Sequence, residues 1–240
     1  MKFFKKIFLI LLVITVILFT FKNDFILNKI EKILISFSGY TENVLKEVYV
    51  SGRINESRAN ILKAINVIIG ESLLTIDLEN IRKNLNNLSW VKDSSVYLLP
   101  LGQLEIEIYE YIPFGKFTDL NNNTFLINKN GVKFLSINIS EYESLFELYG
   151  KDALLHVAEL PLIINKLKSF NFNASKIERI DSRRWNIYLK EGFLIKLPNI
   201  NPLNSIDALY KLDNNINYNN LTFVDLRIKD RVSLKYKQVD

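Results

Sequence analysis

The stretch that most narrows the folds open to this chain is residues 88–117, LSWVKDSSVYLLPLGQLEIEIYEYIPFGKF. Residues 91–99 are rich in Val, Tyr and Leu, and Pro100, Leu101 and Gly102 supply a turn. Leu104, Ile106 and Ile108 then alternate with Gln103, Glu105 and Glu107. That period of two marks a strand with one buried and one wetted face. Two such segments around a short Pro/Gly loop predict an antiparallel hairpin. A lone hairpin is marginal in water, so its apolar face needs a cover.

The cover lies upstream. Ile61, Ile65, Ile68 and Ile69 fall on one helical face, and Leu78, Ile81, Leu85 and Leu88 on another. Asn55 is expected to cap the first helix, Gly70 to end it, and Asp77 to cap the second. Residues 48–50 read as a short strand closed by Gly52. The expected order is strand, helix, helix, strand, strand.

These residues resemble a known family. Gly52, the connection from Gly70 to Asp77, Trp90-Val91-Lys92, Leu99-Pro100 and the Glu-x-x-Pro of residues 110–113 resemble the POTRA module of FtsQ proteins, called DivIB in Gram-positive bacteria. The features are fairly specific in their order and spacing taken together.

At the N-terminus, residues 7–21 (IFLILLVITVILFTF) carry no charge. At about 1.5 Å per residue they cover roughly 22 Å, short of a hydrocarbon core of about 30 Å. Phe3 and Phe4 extend the run, and Lys5 and Lys6 can snorkel to the headgroups. A cleaved signal peptide would need a small-x-small site, and Thr20-Phe21-Lys22-Asn23-Asp24 supplies none. A retained anchor is expected, with Lys2, Lys5 and Lys6 keeping the N-terminus cytoplasmic against the lone Lys22. In residues 25–37, Leu27, Ile30, Ile33, Leu34 and Phe37 share a face opposite Lys29 and Lys32. That segment either lies on the outer membrane surface, continues the span, or is a plain spacer helix.

Beyond Pro113 and Gly115, taken as a joint, Asn128-Lys129-Asn130-Gly131 between apolar runs predicts a second hairpin. Residues 152–159 and 161–168 read as helical. Strands are expected over 176–181, 185–190 and 193–197, with Glu191-Gly192 as the turn between the last two. A helix over 202–214 should bury Leu203, Ile206, Leu209, Tyr210 and Asp213 on one side, before strands over 221–228 and 232–236. Arg183-Arg184-Trp185, Glu191-Gly192, Leu197-Pro198, Val224-Asp225-Leu226-Arg227 and Asp230-Arg231 resemble the C-terminal FtsQ domain. Asn128 stands where that family usually has Asp.

The expected architecture is therefore α+β throughout. Residues 1–24 form a cytoplasmic tail and single transmembrane helix, and residues 25–45 a juxtamembrane linker. Residues 46–113 form a POTRA-like β-α-α-β-β domain, and residues 114–240 a second α+β domain with a mostly antiparallel sheet. Gly52, Trp90, Pro100 and Trp185 are expected to be structural.

Composition excludes several function classes. The 240 residues contain no Cys, hence no disulfide or thiolate chemistry. The net charge of +5 comes mostly from lysines flanking the apolar run, leaving no basic stripe for nucleic acid. His156 is the only histidine and sits among Leu154, Leu155 and Val157, a structural setting. Glu105 and Glu107 lie on one strand face and read as a solvated stripe, and Asp225 and Asp230 as turn and edge residues. No enzyme, cofactor or metal is expected.

A terminal strand at a sheet edge can accept a strand from a partner. The resemblance implies docking there of small bitopic division proteins, FtsB-like and FtsL-like, among other divisome components. It implicates Arg183, Arg184, Phe223, Val224, Asp225, Leu226 and Arg227, with Phe223 and the arginines setting specificity. The alternative is that Val224 and Leu226 are plain core, Phe223 covers the sheet and Arg227 is solvated. The implied role is a non-enzymatic division scaffold of the inner membrane, its bulk periplasmic and concentrated at the septum. A POTRA-bearing translocation component and an anchored wall-cleaving enzyme are the rival readings.

Overall fold

A computed structural model describes residues 43–212 and 218–238. The expected anchor, the amphipathic segment 25–37 and Asp213 lie outside the described residues. Among the described residues no helix is long and apolar enough to cross a membrane. The chain divides into two units, one ending at Glu110 and one beginning at Tyr111.

The first unit has the expected element order. Strand β1 (Glu47–Ser51) precedes helices α1 (Arg58–Ile65) and α2 (Leu78–Asn86), then strands β2 (Val91–Leu99) and β3 (Gln103–Glu110). The sheet order is β1-β3-β2, with β1 parallel and β2 antiparallel to β3. Leu104, Ile106 and Ile108 are buried with Ile61, Ile65, Ile81 and Leu85, so the helices cover the apolar face of the hairpin. Glu105 and Glu107 stand on the opposite face, as the alternation requires.

The caps of α1 differ from expectation. Ser57 is the N-cap and accepts from the Asn60 N–H, while the Asn55 N–H and side-chain amide both donate to Glu110. Asn66, at φ 46°, ends the helix before Gly70. Ile68 and Ile69 consequently leave the helix and stand 74% and 60% exposed. Asp77 does cap α2, accepting from the Asn80 N–H at 3.0 Å. Gly52 is required by its geometry: φ is +76°, and a Cβ there would lie 2.2 Å from the Ile108 carbonyl oxygen. Trp90 is buried, and exposed Pro100 opens the hairpin's 3-10 turn.

The second unit holds β4 (Gly115–Thr118), β5 (Thr124–Ile127), β6 (Lys133–Ile137), β7 (Glu147–Tyr149), α3 (Leu160–Lys168), β8 (Ala174–Ile180), β9 (Arg184–Leu189), β10 (Leu194–Lys196), α4 (Pro202–Ser205), β11 (Leu221–Asp225) and β12 (Ser233–Tyr236). They form one sheet of order β12-β11-β10-β9-β8-β7-β4-β5-β6. Pairing is mostly antiparallel, with parallel neighbours at β4/β7, β7/β8 and β10/β11. One face packs on Leu160, Ile163, Leu167, Ile206 and Leu209, burying Ile177, Trp185, Ile187, Ile195 and Val224. Residues 153–159 and 206–211 are 3-10 rather than α-helical, and Tyr210 is 72% exposed rather than on the buried side.

Strands β4 and β7 have no counterpart in the pattern of the sequence. β4 is buried on both faces, Lys116 included, so it shows no alternation; β7 spans only three residues.

Candidate functional site

The polar face of the large sheet, at its β9–β12 side, is where the implicated residues come together. Alternation sends Trp185, Val224 and Leu226 into the core, where they are 0%, 0% and 1% exposed. Arg184 on β9, Lys196 on β10, Phe223 and Asp225 on β11, and Ser233 and Lys235 on β12 take the other face. Arg183, in the turn before β9, and Arg227, just after β11, lie at the same end of the sheet. Trp185 also donates its indole N–H to Glu159 at 3.0 Å, and Arg179 stacks over its ring at 4.6 Å.

Phe223 is half-buried under Lys196, whose ammonium sits 3.8 Å from the ring centroid, with Lys235 at 5.9 Å on β12. The arginines are already engaged. Arg227 forms a two-pronged pair with Asp225, its Nε at 2.9 Å and its terminal nitrogen at 2.6 Å. Burial raises the pKa of the Asp225 carboxyl, but the hydrogen bonds from Arg227 outweigh this and the net shift is downward. The bonds that Arg227 donates to Asp225 raise its own pKa in turn. Arg183 and Arg184 share Asp181 at 3.6 and 3.2 Å.

The backbone decides which strand is open. β11 pairs with β10 on one side and β12 on the other, so residues 221–225 offer no free edge. Among the described residues, the open edge belongs to β12. The Leu226 N–H donates to Lys196 O on β10, and the Lys237 N–H donates to Asn220 O beside β11. Alternation then turns the backbone groups of Ser233 and Lys235 inward, and those of Leu234 and Tyr236 outward. Leu234 packs on the core while Tyr236 is 50% exposed. The implicated residues lie on β11, at the start of β9 and in the segments flanking them, and residues 233–236 are not among them. The period-two pattern of Val232, Leu234 and Tyr236 was the available signal. Among the described residues β6, at the far side of the sheet, also has an unpaired edge, but Phe134 is stacked on Tyr111 and Lys133 lies over Phe125.

The residues tested for chemistry are placed in structural settings. His156 is half-exposed, its Nδ1 3.1 Å from Glu159. Asp230, at φ 59°, turns the chain between β11 and β12. Among the described residues no group of acidic or histidine side chains is arranged to hold a metal.

Comparison with known proteins joins these features. Residues 44–111 match the POTRA domain of FtsQ type, and residues 118–227 match the C-terminal domain of cell division protein FtsQ/DivIB. A cell division protein FtsQ of Rickettsia bellii is 33% identical over 78% of this chain and 70% of its own length. This chain belongs to the FtsQ/DivIB family. The FtsQ protein of Rickettsia felis is 30% identical over 78% of this chain and 70% of its own length. That of Agrobacterium fabrum is 26% identical over 80% of this chain and 61% of its own. Membership places the chain among the proteins of bacterial division and assigns it protein–protein interactions in the divisome. The match to the FtsQ C-terminal domain ends at Arg227, so β12 lies beyond it.

Proposed function

We propose that this chain is a non-enzymatic divisome scaffold, anchored by residues 7–21, that holds small bitopic division proteins of the FtsB-like and FtsL-like kind by strand addition. The observation that carries the reading is the open edge of β12. It presents the backbone groups of Leu234 and Tyr236 beside a polar face bearing Phe223, Lys196 and Lys235. Hydrogen bonds from a partner's backbone supply affinity, and the side chains along the edge supply selectivity. Lysines bracketing Phe223 favour a partner strand with an acidic residue opposite them. The arginines contribute by exchange, because an acidic group reaching Arg227 or Arg184 has to compete with Asp225 or Asp181. In the cell the scaffold links early and late septal components, with its bulk periplasmic.

The test is co-purification of the full chain with its small coiled-coil division partners, joined to imaging of a fluorescent fusion. Phe223→Glu puts an anion at the centre of the lysine-flanked patch without touching a core side chain, and should abolish co-purification. A uniform envelope signal and undiminished co-purification by Phe223→Glu would together overturn the reading.

A further inference from the structure

The first unit carries exposed apolar side chains at one end of its fold. Ile68, Ile69 and Leu74 are 74%, 60% and 62% exposed in the connection between α1 and α2, and Leu101 is 81% exposed at the tip of the β2–β3 hairpin. Both loops flank the backbone of residues 43–46, where the described chain begins. On one flank, Leu73 N–H donates to Asn43 O at 3.1 Å, Leu45 N–H to Glu71 O at 2.8 Å, and Gly70 N–H to Leu45 O at 2.7 Å. On the other, Lys46 N–H donates to Gly102 O at 2.7 Å, and Gly102 lies so close to the Val44 carbonyl that a Cβ would not fit. β1 then runs away from this end, toward Ile54.

The core does not account for these side chains. Leu101 holds φ 67°, ψ 17°, a left-handed conformation that is costly for leucine, yet its side chain reaches into solvent. Glycine or asparagine would suit that backbone better, so an apolar side chain there points to an external contact. The polar groups of the α1–α2 connection are turned inward on the loop itself. The Glu71 carboxylate accepts from Thr75 Oγ at 3.1 Å and from Ile68 N–H at 3.3 Å.

We propose that this end of the first unit docks on the bilayer, with Leu101, Leu74, Ile68 and Ile69 entering the interfacial region. The inference rests on the membrane-anchored reading above. The occupant follows from chain continuity: only residues 22–42 separate this end from the uncharged run 7–21, so anchoring holds the apolar tips at high local concentration beside lipid. Because the contact is apolar, it requires no anionic lipid.

The chain contains no cysteine, so a single introduced thiol reports alone. The full chain, reconstituted in phosphatidylcholine vesicles, carries a polarity-sensitive fluorophore at Leu74→Cys, Leu101→Cys or Ile54→Cys. Ile54 is 81% exposed at the opposite end of the unit and serves as reference. Probes at 74 and 101 should shift to the blue and be quenched by nitroxide-bearing lipid, while the probe at 54 stays quenchable by aqueous iodide. If 74 and 101 behave as 54 does in a chain that floats with vesicles after carbonate washing, docking is refuted and the anchor stands. A chain that does not float refutes both. A blue shift without lipid quenching assigns the surface to contact with a second copy of the chain and refutes the proposal.

Discussion

Tyr236→Pro separates the outward hydrogen bonds of β12 from the inward ones. The Tyr236 N–H points away from β11, so proline there removes no bond of the internal ladder, and an edge position tolerates the fixed φ. Lys235 precedes it in extended backbone, as the residue before a proline prefers. An added partner strand would lose one backbone bond, about 0.5–1.5 kcal/mol, and keep a carbonyl with no donor, a further ~1–3 kcal/mol if water cannot reach it. The edge is solvated, so water can reach that carbonyl and the expected loss is about 0.5–1.5 kcal/mol, roughly 2- to 13-fold in Kd. Tyr236→Ala is the control, since it deletes the half-exposed ring and keeps the N–H. Calorimetric titration of the full chain with the periplasmic segment of a small bitopic division protein measures the difference, and thermal melting confirms that both variants fold. Lys235→Pro should instead lower the melting temperature, because that N–H belongs to the pairing with Phe223. Equal affinities for Tyr236→Pro and Tyr236→Ala in folded protein would refute strand addition at β12.

Glu110→Ala should lower the stability of the first unit by about 1–2 kcal/mol in urea denaturation, because the carboxylate accepts the N–H groups of Ile54, Asn55 and Glu56, each at 2.8 Å. Burial raises the Glu110 pKa, but these donors outweigh it and the net shift is downward; the stabilisation is present above the unfolded carboxyl range and lost as pH falls through the folded value, so Glu110→Ala should flatten the acid limb of a melting profile. Gly52→Ala meets the Ile108 carbonyl and a left-handed φ, and should cost about 2–4 kcal/mol in the same assay. Leu101→Gly should raise stability by up to about 1 kcal/mol, since relief of the left-handed leucine exceeds the added freedom of the unfolded chain.

The ion pairs of the polar face temper any account that counts arginines as free binding groups. Arg183, Arg184 and Arg227 each have an acidic partner within their own fold. Replacing Asp181 or Asp225 would liberate them, so the acids share control over what the arginines can bind.

Local patterning alone determined much of this protein. The hairpin of residues 91–110, the helices that cover it, Asp77 as a cap, the Asn128–Gly131 turn and the burial of Val224 and Leu226 all follow from side-chain period and turn chemistry, which act over a few residues. Only the tertiary structure decided the rest, because partners distant in the chain supplied it. Glu110 took Asn55 and so moved the cap of α1 to Ser57. β4 is hidden from pattern reading because both its faces are covered, and the short β7 pairs with β4, three strands earlier in the chain, and with β8 across a helical connection. The open edge is likewise a property of strand order: β11 and β12 have similar patterns, and only the pairing of β11 with β10 closes one and leaves the other free.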